Sequence, residues 1–90
     1  LMKKPYFDPL TMDEAIRTAI CAYLTVLILR LQQAEKLAVE AAAALSTGQR
    51  NLAIGTVLPL ERMLPECDAL VRATLILHRM EAQSRDGGAA

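Results

Sequence analysis

The sequence predicts an all-α fold, an elongated helical hairpin that pairs into a dimeric helical bundle. Alanine and leucine, both strong helix formers, number 15 each among the 90 residues. No segment alternates apolar and polar residues for long enough to indicate a β-strand. The glycines and prolines, four of each, lie in clusters between long segments without a helix breaker. Together these observations favour a few long helices joined by short turns.

The first helix is expected over residues 12–46, after an irregular arm of residues 1–10. Thr11 and Glu14 match a capping box, and the next strong stop signal is Gly48. About 35 helical residues give a helix about 52 Å long. At 100° per residue, one side of this helix carries a continuous apolar stripe. The stripe consists of Ile16, Ile20, Tyr23, Leu27, Leu31, Ala34, Ala38, Ala41 and Leu45.

Two prolines decide where the helices of the second half end. A proline inside a helix removes one hydrogen bond and clashes with the carbonyl four residues back. Gly55 lies four residues before Pro59 and can bend away, so Pro59 could either kink or break the helix. Glu61 gives Pro65 no such relief, so a break is expected there, with Pro65 beginning the next helix. The predicted helices are residues 50–63 and 66–83.

The length of the first helix predicts the dimer. A compact chain of 90 residues has a radius of gyration of about 12 Å, so a 52 Å helix does not fit inside it. A single helical domain, residues 11–83, with a flexible tail, residues 84–90, covers only one side of that helix. We therefore expect a second copy to cover the rest in an antiparallel dimer. The predicted dimer interface is Tyr23, Leu24, Leu27, Ile28 and Leu31.

Charge and hydropathy exclude several classes of protein. The net charge is zero and aromatic residues make up 3% of the chain, which disfavours a nucleic-acid-binding protein. Arg17 and Arg30 bracket the most apolar segment at a separation well below the ~30 Å of a bilayer core. Met2 is interpreted as the native start without a signal peptide, and Cys21 and Cys67 as reduced thiols. These features predict a cytoplasmic protein for which a membrane is an improbable partner.

The residues that carry catalytic or metal chemistry do not form a recognisable set. His78 is the sole imidazole, and Asp68 lies too far along the helix to orient it, so its role stays open. A zinc site needs four ligands, and di-metal bundles need Glu-x-x-His pairs. Asp13 with Arg17, and Asp68 with Arg72, are spaced as helix-surface ion pairs. The sequence therefore predicts no enzyme, no cofactor and no metal.

Two resemblances bear on this prediction. The spacing of Gly48, Ala53 and Pro65 resembles one tetratricopeptide repeat, although the first helix is too long for such a repeat and arrays need about three copies. A long helix followed by two shorter ones also resembles the all-α chorismate mutases, which gather several cations around a dicarboxylate. Arg17 lies near the expected start of such a pocket. Ala34 and Leu45, however, stand where two further cations are wanted, which disfavours this enzyme.

The leading hypothesis is a non-enzymatic, self-associating interaction protein such as a small regulator, adaptor or co-chaperone. Its partner would be an unidentified protein that binds the third helix through Arg72, Ile76, Arg79 and Met80. One alternative is an anionic small-molecule site, or a chorismate-mutase-like enzyme, at the dimer seam, using Arg17, Arg30 and His78. A buried Arg30 without a carboxylate partner would favour that alternative. The other is peripheral membrane association through the apolar flank of the first helix, whose polar side is poor in Lys and Arg.

Overall fold

The chain folds as a helical hairpin in a computed structural model that describes the backbone of residues 9–89 and the side chains of residues 12–83. The helices are α1, Pro9–Ser46, α2, Arg50–Val57, and α3, Leu60–Ala89. Both α2 and α3 pack against α1. The all-α prediction is confirmed, since the described residues form one long helix followed by a bent one and no strand.

The start of α1 and the end of α3 both extend beyond the predicted helix limits. Helix α1 begins at Pro9, so Thr11 lies inside the helix and is not its N-terminal cap. Proline suits the first helical position because the N–H at that position has no partner within the helix. The predicted arm, apart from residues 9 and 10, lies outside the described residues. At the other end, α3 continues to Ala89, past the predicted end at Gln83.

Gly48 ends α1, as its sequence predicts. Its φ angle is +82°, a left-handed conformation that glycine adopts without steric strain. The Gln49 N–H donates to the Ala44 carbonyl at 2.9 Å, and the Gly48 N–H donates to the Leu45 carbonyl at 3.0 Å. This pair of hydrogen bonds is the Schellman motif. The motif reverses the chain between α1 and α2 and thereby closes the hairpin.

Gly48 and Gly55 provide two alanine substitutions with opposite expected effects. A methyl group meets no atom within 4 Å at either position. Gly48→Ala should therefore destabilise the protein by about 1 kcal/mol through backbone strain alone. Gly55→Ala, inside α2, should stabilise it by about 0.5–1 kcal/mol because alanine is the better helix former. Urea denaturation of both variants checks this prediction, and a shift of the same sign in both would contradict it.

The second half of the chain bends at Pro59, so the predicted break at Pro65 is wrong. Leu58 keeps right-handed helical angles, φ −54° and ψ −41°, and its N–H donates to the Ile54 carbonyl at 3.1 Å. Pro65 lies inside α3. Met63 and Cys67, on either side of Pro65, are both buried. Packing stabilises helices in proteins more than propensity does, so this burial offsets the hydrogen bond that Pro65 lacks.

The covered side chains of the hairpin follow the spacing of a coiled coil. The steps between them alternate between three and four residues, which is the heptad repeat. On α1 the covered positions that keep this spacing are Ile16, Ile20, Leu27, Arg30, Ala34, Leu37, Ala41 and Ala44, and the exposed Tyr23 occupies the position between Ile20 and Leu27. On α3 the covered positions that keep it are Leu60, Met63, Cys67, Leu70, Thr74, Leu77 and Glu81. We call these two sets the core seam, along which α1 and α3 run antiparallel.

The core seam differs from the predicted apolar stripe in its second half. Leu31, Ala38 and Leu45 of the predicted stripe are exposed, and the residue before each of them is at least half covered instead. The prediction assumed a straight helix with 3.6 residues per turn. A coiled coil follows a repeat of 3.5 residues, and the two patterns diverge by about 20° in every heptad.

The hairpin is long and flat. Its radius of gyration is 20.2 Å and its principal extents are 66 × 33 × 14 Å. A compact chain of this length would have a radius of gyration of about 12 Å. The shortest extent is close to the diameter of one helix, about 10–12 Å. Over the described residues, both broad faces of the hairpin are therefore open to solvent.

Candidate functional site

Much of the apolar surface of the hairpin lies outside its core. Among the described residues the buried core is entirely apolar and consists of Ile16, Ala34, Ala41, Ala53, Met63 and Cys67. By contrast, 17 large apolar side chains are exposed among residues 12–83. Single exposed apolar residues are ordinary on soluble proteins, but contiguous ones mark interaction surfaces. The arrangement of these exposed residues is therefore the main functional information in the structure.

A second heptad stripe runs along α1 beside the core seam. Each of its residues follows a core-seam position by one residue, and each is exposed. Its members, which we call the outer stripe, are Arg17, Cys21, Leu24, Ile28, Leu31 and Glu35. The steps alternate between four and three residues, the spacing at which a further helix packs. Assigning heptads to the sequence would have separated this stripe from the core seam, whereas a single 100° projection merges them.

The structure divides the predicted dimer-interface residues between these two stripes. Leu24, Ile28 and Leu31 belong to the outer stripe and are exposed. Leu27 is half-buried in the core seam, where α3 covers it. Tyr23 occupies a core-seam position yet remains 37% exposed. Three of the five predicted residues thus form one continuous exposed surface.

Helix α3 extends the surface of the outer stripe. Equivalent heptad positions lie on the same side of an antiparallel helix pair. On α3 the exposed apolar residues that follow the core seam by one position are Leu64, Val71 and Leu75. We call these three residues and the outer stripe the first face of the hairpin. The opposite side, the second face, carries Val26, Leu29, Ile76 and Met80, which are also exposed.

The predicted partner-binding residues lie along the outer side of α3. Arg72, Ile76, Arg79 and Met80 are all exposed, and the first three line a shallow groove together with Asp68, Val71 and Leu75. The Arg72 Nε donates to the Asp68 Oδ2 at 2.8 Å, which confirms that predicted ion pair. Exposed pairs of this kind contribute at most about 1 kcal/mol. Since Asp68 partly neutralises Arg72, Arg79 supplies the main positive charge of the groove.

Arg30 does not meet the condition that would have favoured an anionic ligand at the dimer seam, namely burial without a carboxylate partner. The Arg30 Nη1 lies 3.4 Å from the Glu66 Oε1, and both side chains are 43% exposed. Arg30 is therefore neither buried nor without a carboxylate partner. Arg17 and Arg30 are separated by 13 positions of one helix, or about 20 Å, which is too far for both to bind one small anion.

The described part of the chain lacks the features of a metal site and of a membrane span. There, no group of three or more His, Cys, Asp and Glu side chains is placed to hold a metal ion. Cys21 is exposed and Cys67 is buried, and both are free thiols. No helix, over the residues searched, is long and apolar enough to cross a membrane.

Comparison with known proteins does not assign a family or a function to the chain. No protein-family model matches the chain, and neither the curated proteins nor the solved structures contain a significant match to it. The exposed faces of the hairpin therefore carry the functional argument.

Proposed function

We propose that this protein is a non-enzymatic interaction protein that forms a homodimer through the first face of its hairpin. The observation that carries the proposal is the outer stripe, a second heptad repeat on α1 with exposed apolar residues at its centre. A helix with two adjacent heptad repeats packs against two neighbours. Within one chain α3 provides the first neighbour, and a second copy of the hairpin provides the other.

The surface area of the chain supports a second copy. The chain exposes 6892 Å², whereas a compact protein of 9.8 kDa exposes about 5,200 Å². The excess of about 1,700 Å² is more than the roughly 800 Å² that each partner contributes to a standard interface. Two flat hairpins stacked through their first faces give a four-helix bundle, an arrangement with an ordinary buried core.

A dimer of this kind covers Val71 and Leu75 at one edge of the groove and leaves the outer side of α3 available for another protein. We assign Arg72, Ile76, Arg79 and Met80 to that contact, as an apolar strip flanked by cationic residues. Charge complementarity favours an amphipathic helix with acidic residues as the partner. In this role the protein is a small regulator, adaptor or co-chaperone. The two free cysteines support a cytoplasmic location for it.

The thermal midpoint tests the dimer because folding coupled to association depends on protein concentration. We expect the midpoint to rise steadily as the protein concentration is increased a hundredfold, since mass action stabilises the associated state. Calorimetry or circular dichroism at matched heating rates measures it. A midpoint independent of concentration, together with reversible unfolding, would contradict the proposed homodimer.

The partner surface is tested by reversing its charges. The double variant Arg72→Glu with Arg79→Glu should lose the proteins that the wild type retains in an affinity capture. The matched control is Arg50→Glu, which reverses an exposed charge at the start of α2. Identical retention by the wild type and the double variant would remove α3 as the partner surface and would leave the dimer unaffected.

A further inference from the structure

We propose that the two copies pair antiparallel about a two-fold axis level with Val26, so that Arg17 of each copy forms an ion pair with the partner's Glu35. This inference rests on the proposed dimer and adds its register and its specificity. It follows from the order of charged and apolar residues along the outer stripe, together with the hairpin geometry of the single chain.

Opposite charges frame the apolar part of the outer stripe. Arg17 stands at one end and Glu35 at the other, and Val26 lies midway between them in the sequence. The two ends are separated by about 27 Å of helix. In the described part of the chain neither residue forms an ion pair. The helix-surface pair between Asp13 and Arg17 that the sequence predicts is not formed, so Arg17 is available to the second copy.

A two-fold axis level with Val26 satisfies every position of the outer stripe. It places Leu24 opposite the partner's Ile28 and Cys21 opposite the partner's Leu31. In each opposed pair, a residue that begins a four-residue step of the stripe faces one that ends such a step. Antiparallel coiled-coil helices pack with this alternation. At both ends of the apolar part, Arg17 then meets the partner's Glu35. The interface therefore has an apolar centre and an ion pair at each end.

Other registers place charges unfavourably. Sliding one copy by one heptad in one direction puts Arg17 against the partner's Ile28, and sliding it by one heptad the other way puts Glu35 against the partner's Leu24. Both arrangements desolvate a charge without a partner. A parallel pairing would set Arg17 against the partner's Arg17, and Glu35 against the partner's Glu35. Like charges in contact weaken such a complex, so the charge order favours the antiparallel register.

The hairpin geometry makes the same axis suitable for α3. The Arg30–Glu66 contact sets the level of α3 relative to α1, so the position opposite Val26 lies near Val71. An axis at this level places Val71 opposite the partner's Val71 and brings Leu64 of one copy towards the partner's Leu75, with Asp68 on the same stripe between Leu64 and Val71. The three apolar residues are exposed in the single chain. One symmetry axis therefore covers the apolar residues of both helices on the first face, and the single charge that it covers on this part of α3, Asp68, keeps Arg72 as its partner.

Charge reversal tests the register. Arg17→Glu alone and Glu35→Arg alone should each raise the dimer Kd about tenfold, because each dimer contains two such pairs and each exposed pair is weak. The double variant, Arg17→Glu with Glu35→Arg, should return the Kd to within about threefold of the wild type, because the exchanged charges attract again. Sedimentation equilibrium over a dilution series measures all four constants.

The control is Glu40→Arg, which reverses an exposed charge outside the outer stripe and should leave the Kd unchanged. If the wild type is a dimer and the single reversals act no differently from the control, the register is wrong and the dimer stands. A double variant weaker than both single variants also overturns the register. A monomeric wild type overturns the proposed function itself.

Cross-linking supplies a readout that does not depend on affinity. About this axis the two Cys21 residues of a dimer lie about 15 Å apart along the helices, whereas Cys21 adjoins the partner's Leu31. A short bifunctional maleimide should therefore cross-link Leu31→Cys and fail to cross-link the wild type, whose Cys67 is buried. Leu29→Cys on the second face is the control and should not cross-link. Efficient cross-linking of the wild type would overturn the antiparallel register.

Discussion

The variant Ile28→Glu is expected to be a monomer of about 9.8 kDa under conditions in which the wild type is a dimer. Ile28 is 54% exposed in the single chain and lies at the centre of the outer stripe. In the proposed dimer each Ile28 would pack against the partner's Leu24, so the substitution affects two equivalent contacts. Two carboxylates without a polar partner at that centre would oppose association by several kcal/mol. Light scattering at micromolar concentration measures the mass.

The neighbouring residue provides a matched control. Leu29 is 60% exposed, but it lies on the second face of the hairpin. Leu29→Glu adds the same charge to the same helix at a comparable exposure, so it should leave the dimer intact. Dissociation by both substitutions would indicate a general effect of charge, and dissociation by neither would show that the outer stripe is not the interface.

The largest expected loss of folding stability comes from the core seam. Met63 is 7% exposed and lies between the bend at Pro59 and the embedded Pro65. Met63→Ala should reduce the free energy of unfolding by about 2–4 kcal/mol, because it removes buried apolar surface and leaves a cavity beside α1. Guanidinium denaturation of wild type and variant at one fixed protein concentration measures the difference.

Met80 serves as the control because it is the same residue type at 50% exposure on the same helix. Met80→Ala should change the free energy of unfolding by no more than about 0.5 kcal/mol, as expected for a surface substitution. Equal losses in the two variants would contradict the assignment of the core seam. Because Met80 also belongs to the proposed partner surface, the same variant should weaken partner capture without loss of stability.

The sequence predicts those features of the fold that depend on local interactions. The length of α1 follows from an uninterrupted apolar pattern, and its C-terminus follows from Gly48, the described residue with a positive φ angle. The tight turn after α1 follows from the same glycine, through the two hydrogen bonds that it organises. Signals of this kind act within a few residues and need no knowledge of the partner helix.

Features that depend on packing between helices could not be predicted in the same way. The helix continues through Pro65 because Met63 and Cys67 are buried against α1, a contact distant in sequence. Leu27 faces α3 and Leu31 faces solvent because the helices follow a coiled-coil repeat and not a straight one. The sequence prediction therefore treated the covered and the exposed apolar residues of α1 as one surface and did not separate the core seam from the outer stripe.

The mass of the wild-type protein in solution tests the central claim most directly. Light scattering coupled to size-exclusion chromatography, repeated down to low micromolar concentration, measures it without any substitution. The proposed dimer predicts a mass near twice 9.8 kDa that persists on dilution until the Kd is reached. A single species of 9.8 kDa at every concentration would contradict it, and would leave the first face of the hairpin without the second copy on which the account depends.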